Sequence, residues 1–337
     1  MITEPQKIIY FIITRRCNYA CPFCIRKNLE HSYQDTSLHQ AKQVLRNIYD
    51  CVPDSLLVLT GGEPLLHPEC EELIKYSTQL FKKVLIATNG SFTPSKNNML
   101  HPYLKQNLWI QFSLDGIESI HDQIRGTGSY KRTTDNIKLL SDVSEHILIS
   151  STIGIRNYQY IPDLAQVLNS YKFYRWKLTM EIVKDPLKDK MIDISTWNRM
   201  VDRILPLCHF RVRVQKYYDF VLMDNFLHKY DPHKHKLITN CGSGLSTFII
   251  NPDFSTTPCT CINDVIGNFK TDDTYSLLEK LETSCHIPPA RDSVCYDCKF
   301  LRICNGGCPG YSMKCFGSFN MGDIRCPIVK QFMQKKP

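Results

Sequence analysis

Apolar positions along the chain fall into two alternating rhythms. Short, nearly continuous runs of Val, Ile, Leu and Phe occupy 7–14, 55–60, 84–88, 108–113, 147–155 and 175–183. Runs of that length without polar alternation are expected of parallel strands covered on both faces. Between them lie stretches with helical spacing at 37–49, 68–80, 130–143 and 161–171. Thr36-Ser37 offers an N-cap to the first, and Pro68 with Glu69, Glu71 and Glu72 suits the first turn of the second. Six β/α repeats of this kind predict an α/β fold, a partial (β/α)6 parallel barrel whose site lies at the C-terminal strand ends.

The rhythm changes after residue 190. A helical, aromatic stretch carries Trp197, Phe210, Tyr217, Tyr218, Phe220 and Phe226, read as core or an inter-domain bridge, and His228, His233 and His235 follow. Beyond Asn240 the text is rich in turns, has few apolar runs, and holds ten of the sixteen cysteines between Cys241 and Cys326. A segment so short of core-forming residues needs staples. The expected division is therefore 1–234, barrel plus helical bridge, and 235–337, a small loop-rich, cluster-binding domain.

The loops after the first four strands carry the unusual residues. They are Cys17-x3-Cys21-x2-Cys24, then Gly61-Gly62-Glu63-Pro64, Thr88-Asn89-Gly90 and Ser113-Leu114-Asp115-Gly116. Each alone is ordinary turn chemistry; four on one face describe a single ligand-binding mouth. Thiolates suit iron–sulfur clusters, zinc or Cu(I), and three local cysteines leave either a remote fourth ligand or an open metal position.

Composition narrows the setting. A net charge of +8 is spread along the chain rather than concentrated, so nucleic acid is not expected. No run of eighteen apolar residues suggests a membrane span, and residues 1–7 lack the pattern of a secretory signal. Sixteen cysteines without an export signal point to reduced thiols, metal and the cytoplasm.

The triplet after strand one and the GGE after strand two resemble the radical S-adenosylmethionine (radical SAM) enzymes. The resemblance implies that Cys17, Cys21 and Cys24 hold three irons of a [4Fe–4S] cluster whose open iron chelates S-adenosylmethionine. An electron from the reduced cluster then leaves a 5′-deoxyadenosyl radical, the protein supplying binding, orientation and exclusion of side reactions. On matching positions, Glu63 would accept from the methionyl ammonium beside the Gly61-Gly62 backbone. Asn89 and Ser113 would contact the cofactor, Ile153 would pack the adenine, and Arg125 is a further match. A zinc knuckle is the competing reading of the triplet.

The C-terminal third resembles the SPASM extension of peptide-modifying radical enzymes, with two auxiliary [4Fe–4S] clusters and three clusters in all. By that resemblance Cys295, Cys298, Cys304 and Cys326 hold one, while Cys241, Cys259 and Cys308 hold three positions of the other. Its fourth ligand is left open between Cys261, His235, another cysteine and substrate. Two zinc sites are the competing reading here.

Phe254 stands where the family has glycine, and Thr260 stands where sulfatase-maturing members carry Asp. No room is expected for an N-terminal leader-binding domain, since Cys17 lies so near the start. Cys51, Cys70 and Cys208 read as small buried apolar residues, whereas Cys285 and Cys315 have no matched role. The implied activity is oxidative modification of a ribosomally made precursor peptide, leaving a thioether, a carbon–carbon crosslink or an oxidised residue. A separate leader-binding protein and a flavodoxin or ferredoxin electron donor would serve it. The alternative is a dehydrogenase or oxidase of a small molecule, an aminoglycoside-type alcohol or a porphyrin side chain.

Overall fold

The computed structural model describes residues 7–25, 35–216, 234–238, 241–285 and 287–335. Its strands are β1 (Ile8–Thr14), β2 (Leu56–Gly61), β3 (Lys83–Thr88), β4 (Leu108–Ser113), β5 (Ile147–Ile153), β6 (Arg175–Met180), β7 (Arg211–Gln215), β8 (His235–Ile238), β9 (Thr247–Ile250), β10 (Ser255–Thr257) and β11 (Gly267–Asn268). They form one sheet in the order β11-β10-β9-β1-β2-β3-β4-β5-β6-β7-β8. Every pair from β9 through β1 to β8 is parallel, and β10 and β11 extend the β9 edge antiparallel.

Helices α1 (Leu38–Cys51), α2 (Cys70–Leu80), α3 (Pro94–Leu104), α4 (Glu118–Arg125), α5 (Ser129–Ser141), α6 (Ile161–Leu168) and α7 (Ile194–Ile204) cross between the parallel strands. Their apolar stripes bury one large core against the outer sheet face, with Phe11, Phe81, Phe112, Trp176 and Trp197 inside it. The inner face carries a separate, smaller cluster of Val58, Leu85, Trp109 and Leu148. All six anticipated strands are present. α/β class and parallel repeat therefore stand as expected.

Some details differ. Ser37 takes the N-cap position of α1, but its side chain makes no capping bond; the Thr36 hydroxyl instead donates to the Pro252 carbonyl. The second helix starts at Cys70, two residues later than Pro68 suggests, with Glu71 and Glu72 in its first turn. The α3 helix carries Pro102 internally and little apolar asymmetry, so its sequence gives no periodic signal. The expected helical bridge ends at Ile204, and Arg211–Gln215 is a strand. Its alternation of cations with Val212 and Val214 is a period-two pattern, shared with β6 but unlike the apolar runs of β1 to β4. Tyr217, Tyr218, Phe220, Phe226, His228 and His233 lie outside the described residues, as does the His235 side chain.

The sheet runs across the 234/235 division, since β8 pairs with β7, and β9 pairs with β1 at Ile8↔Thr247. Downstream, the smaller apolar clusters are built around cysteines, one around Cys295, Cys304, Cys326 and Val329 and another around Cys259, Ile262 and Cys285.

Candidate active site at the strand ends

The ends of β1 and β2 meet closely enough to require glycine. Gly62 N–H donates to the Thr14 carbonyl at 2.9 Å and Glu63 N–H to the Arg16 carbonyl at 2.7 Å. A Cβ on Gly61 would lie 2.5 Å from the Thr14 oxygen, and one on Gly62 would lie 2.6 Å from the Arg16 carbonyl carbon. These two glycines let the second loop dock on the backbone that leads directly into Cys17.

Glu63 then turns inward. One carboxylate oxygen accepts from Thr88 Oγ1 at 2.8 Å and Leu65 N–H at 3.2 Å, the other from Asn89 N–H at 2.7 Å. Burial pushes its carboxyl up to about 7, against the pull of those three bonds. The expected contact with a ligand ammonium thus falls to a carboxylate already braced by the β3 loop. Asn89 extends the brace: its Nδ2 donates to Asn18 Oδ1 at 2.8 Å, and Asn18 Nδ2 donates to Ser91 Oγ at 2.8 Å.

The three thiols share one loop and sense one another electrostatically, with Cys21 buried and Cys17 exposed. Cys24 N–H donates to the Cys21 carbonyl at 3.2 Å, and Tyr19 N–H to the Cys17 sulfur at 3.4 Å. Burial raises the Cys17 and Cys21 thiols, while the Arg125 guanidinium pulls both down. The Arg125 side chain is largely enclosed, ion-paired to Asp115, and sits 5.6 Å from the Phe23 ring centroid. Asp115 is fixed in turn by Thr152 N–H at 2.8 Å, and its own N–H donates to His121 Nδ1 at 3.1 Å. Arg125 therefore places a cation next to the triplet.

Ser113 is half-buried on the inner side of β4. Ile153 is completely buried in the core between sheet and helices, because strand alternation from inward-facing Leu148 turns odd-numbered residues of β5 outward. It does not face the mouth, which corrects its assignment to an adenine.

The later cysteines gather in two nests. Cys295, Cys298, Cys304 and Cys326 line one small cavity together with Asp323 and Val329. In the other, Cys261 is hydrogen-bonded to Cys259 and Cys308. Buried Lys216 lies beside it, its ammonium 3.9 Å from the Cys241 sulfur. Cys285, unassigned by pattern, feels the charges of Cys241 and Cys308 and joins this nest. Asp323 bridges the two, lining the first cavity while accepting from Cys308 N–H at 3.1 Å and from both ends of the Arg325 fork. Phe254 adopts φ 68°, the left-handed conformation that glycine takes without strain. Neither Asp323 nor Lys216 belongs to a recognisable motif; only their packing reveals them.

Residues 11–168 match the Radical SAM superfamily. The chain carries a radical SAM domain. It is 28% identical over 260 residues to the antilisterial bacteriocin subtilosin biosynthesis protein AlbA of Bacillus subtilis, covering 74% of this chain and 54% of that protein. To an AdoMet-dependent heme synthase of Oleidesulfovibrio alaskensis it is 21% identical, over 98% of this chain and 89% of the relative. The structure of Streptococcus suis SuiB bound to S-adenosylmethionine superposes with a TM-score of 0.74 at 16% identity, over 96% of this chain and 77% of SuiB. At that identity the likeness speaks for the fold, a partial barrel.

The radical SAM family implies a [4Fe–4S] cluster and S-adenosylmethionine, and the donor chemistry here fits. Among the described residues no group of three His, Cys, Asp or Glu could hold a single metal ion. A cuboidal cluster reaches further than one ion and takes thiolates. In the later nests, burial holds Cys304 and Cys326 up to about 11. Such thiols stay protonated until metal displaces the proton. Among the described residues no helix is long and apolar enough to cross a membrane.

Proposed function

We propose that this chain binds a [4Fe–4S] cluster through Cys17, Cys21 and Cys24 and oxidatively modifies a ribosomally made peptide at the mouth formed by the β1 to β4 loops. The observation that carries the reading is the convergence of the triplet, the Glu63–Asn89 brace and Arg125 at one set of strand ends. Two cysteine nests downstream add to it. When bound, the reduced cluster supplies the electron that cleaves S-adenosylmethionine to the hydrogen-abstracting radical. Glu63, held by three donors, orients the β2–β3 loops toward the methionyl end. Arg125 stabilises the thiolates of Cys17 and Cys21 and is itself positioned by Asp115. Residues 235–337 act as the SPASM unit, with Cys295, Cys298, Cys304 and Cys326 on one auxiliary cluster and Cys241, Cys259, Cys308 and Cys261 on the other. An auxiliary cluster held by these cysteines would supply an acceptor for the electron released when a substrate radical is oxidised. A flavodoxin or ferredoxin reduces the first cluster, and a separate protein presents the leader.

AlbA's role in subtilosin biosynthesis and the structure of SuiB bound to precursor peptide SuiA favour the peptide over other substrates. The test is anaerobic incubation with S-adenosylmethionine, reductant and Cys- or aromatic-rich peptides encoded beside the gene. 5′-Deoxyadenosine and loss of two hydrogens from a peptide are expected for a thioether or crosslink; peptides all unchanged in mass overturn the substrate class. The nearly full-length match to a heme synthase favours a second reading, oxidation of a porphyrin side chain, which the same mass assay run on tetrapyrroles would reveal.

A further inference from the structure

The inner face of β6 and β7 carries a feature that the radical chemistry leaves unused. On β6, Trp176, Leu178 and Met180 enter the helix-covered core, so Arg175, Lys177 and Thr179 point to the other side. On β7, Val212 and Val214 enter the same core, leaving Arg211, Arg213 and Gln215. The register sets Arg175 opposite Arg211 and Lys177 opposite Arg213. Four cations therefore stand in two facing pairs on successive inner rungs. Above them, Thr179 Oγ1 donates to Gln215 Oε1 at 3.2 Å.

Like charges directly opposite each other destabilise a sheet. Among the described residues none of the four is in an ion pair with a carboxylate. The Nε atoms of Arg175 and Arg213 are buried without an acceptor. What lies near is aromatic: the Arg211 guanidinium is 4.6 Å and that of Arg175 6.0 Å from the Tyr174 ring centroid. Tyr174 meets Trp109 edge-on at 5.0 Å, and Lys83 lies 3.9 Å over Trp109. Burial, then the nearby Arg213, pulls Arg175 down to about 10. An array that costs stability when empty regains it from a ligand that brings negative charge.

We infer that Arg175, Lys177, Arg211 and Arg213 form a track that binds carboxylates of the substrate, running along the inner face toward the strand ends that hold the triplet. Guanidinium forks match carboxylates in bidentate fashion. Alternate residues of a strand are about 6.6 Å apart, in the track and in an extended peptide alike. An extended segment with an acidic residue at every second position would meet both rungs. The inference rests on the peptide reading only for the source of the carboxylates.

The experiment is fluorescence anisotropy on the anaerobically purified full chain, using a labelled peptide of alternating Glu and Ser, with inorganic tripolyphosphate as a second probe. The peptide is expected to bind, to weaken as salt rises, and to lose about tenfold in affinity in each of Arg175→Gln and Arg213→Gln. Both variants should melt no lower than the parent, because each removes one of two cations that face each other. Peptide affinity unchanged in the variants overturns the track. Tripolyphosphate binding that needs these arginines, without peptide binding, overturns the carboxylate assignment. A drop in melting temperature in both variants would show a structural role and overturn it too. Arginine-dependent binding with no peptide ever modified would sink the peptide-modifying reading and leave the track standing. The opposite result, modification that ignores both arginines, sinks only the track.

Discussion

Replacing Gly62 by alanine probes the junction on which the site depends. The added Cβ would start 2.6 Å from the Arg16 carbonyl carbon and 2.8 Å from the Arg15 oxygen, whereas ordinary contact begins at 3.4 Å. Both neighbours are backbone and cannot swing aside, so the chain entering Cys17 must retreat. That retreat stretches the Glu63 N–H bond to Arg16, now 2.7 Å, past the roughly 3.2 Å at which such bonds normally end. Overpacking costs about 1–3 kcal/mol and a buried donor left unpaired about 1–3 kcal/mol, together roughly 2–6 kcal/mol. With unfolding entropy of about 2.1 cal/mol/K per residue, this corresponds to a melting point lower by roughly 3–8 °C. Function should suffer more than stability. Misplacing reacting groups by about 1 Å can cost on the order of a hundredfold in rate, and the displaced loop should lose about four irons, one cluster. The assay is anaerobic reconstitution, iron and sulfide counting, and 5′-deoxyadenosine formation by chromatography. Gly116→Ala is the control, because its added Cβ would meet the Ile120 side chain rather than backbone. Full iron content and parental cleavage of S-adenosylmethionine by the Gly62→Ala protein would refute the reasoning.

Two further outcomes are expected. Glu63 is lifted from 4.5 to about 7 by burial, so the folded state keeps a proton that the unfolded chain releases between those values. Stability should therefore fall as pH rises across that window and level off above it, by at most about 3 kcal/mol. Urea midpoints between pH 5.5 and 8 should show this slope in the parent and lose it in Glu63→Gln; equal slopes would contradict it. Alanine at Cys295, Cys298, Cys304 or Cys326 should each remove about four irons, and Cys315→Ala none, with EPR identifying the lost cluster. Within the second nest, iron loss on Cys261→Ala but not on Cys285→Ala would fix the fourth ligand, and the reverse would move it to Cys285.

Strands β1 to β5 were legible because burial on most of both faces writes itself as apolar runs, and β6 because Trp176, Leu178 and Met180 mark its core face. β7 was not, because one face carries the Arg211 and Arg213 cations and alternation over five residues is a weak signal. The triplet and the glycines were readable as spacing, since ligand geometry constrains residues close in sequence. Lys216 and Asp323 were invisible for the opposite reason. Each reaches its partners across long stretches of chain, as in the bond from Cys308 N–H to Asp323, and a lone Asp or Lys carries no local mark. Ile153 was misplaced because a strand's two faces can be told apart only once the inward set is known.

The pairing of β1 with β9 has a consequence for how the protein is made. Ile8 must wait for Thr247, and at roughly 5–20 residues per second synthesis from β2 to β9 takes on the order of 10–40 s. Throughout that interval β1 presents a raw, apolar edge, the kind of surface that recruits strands from other chains. A fragment ending at residue 234 would keep that edge permanently. Aggregation is its expected fate, and a soluble, monomeric fragment would show that β1 needs no second neighbour.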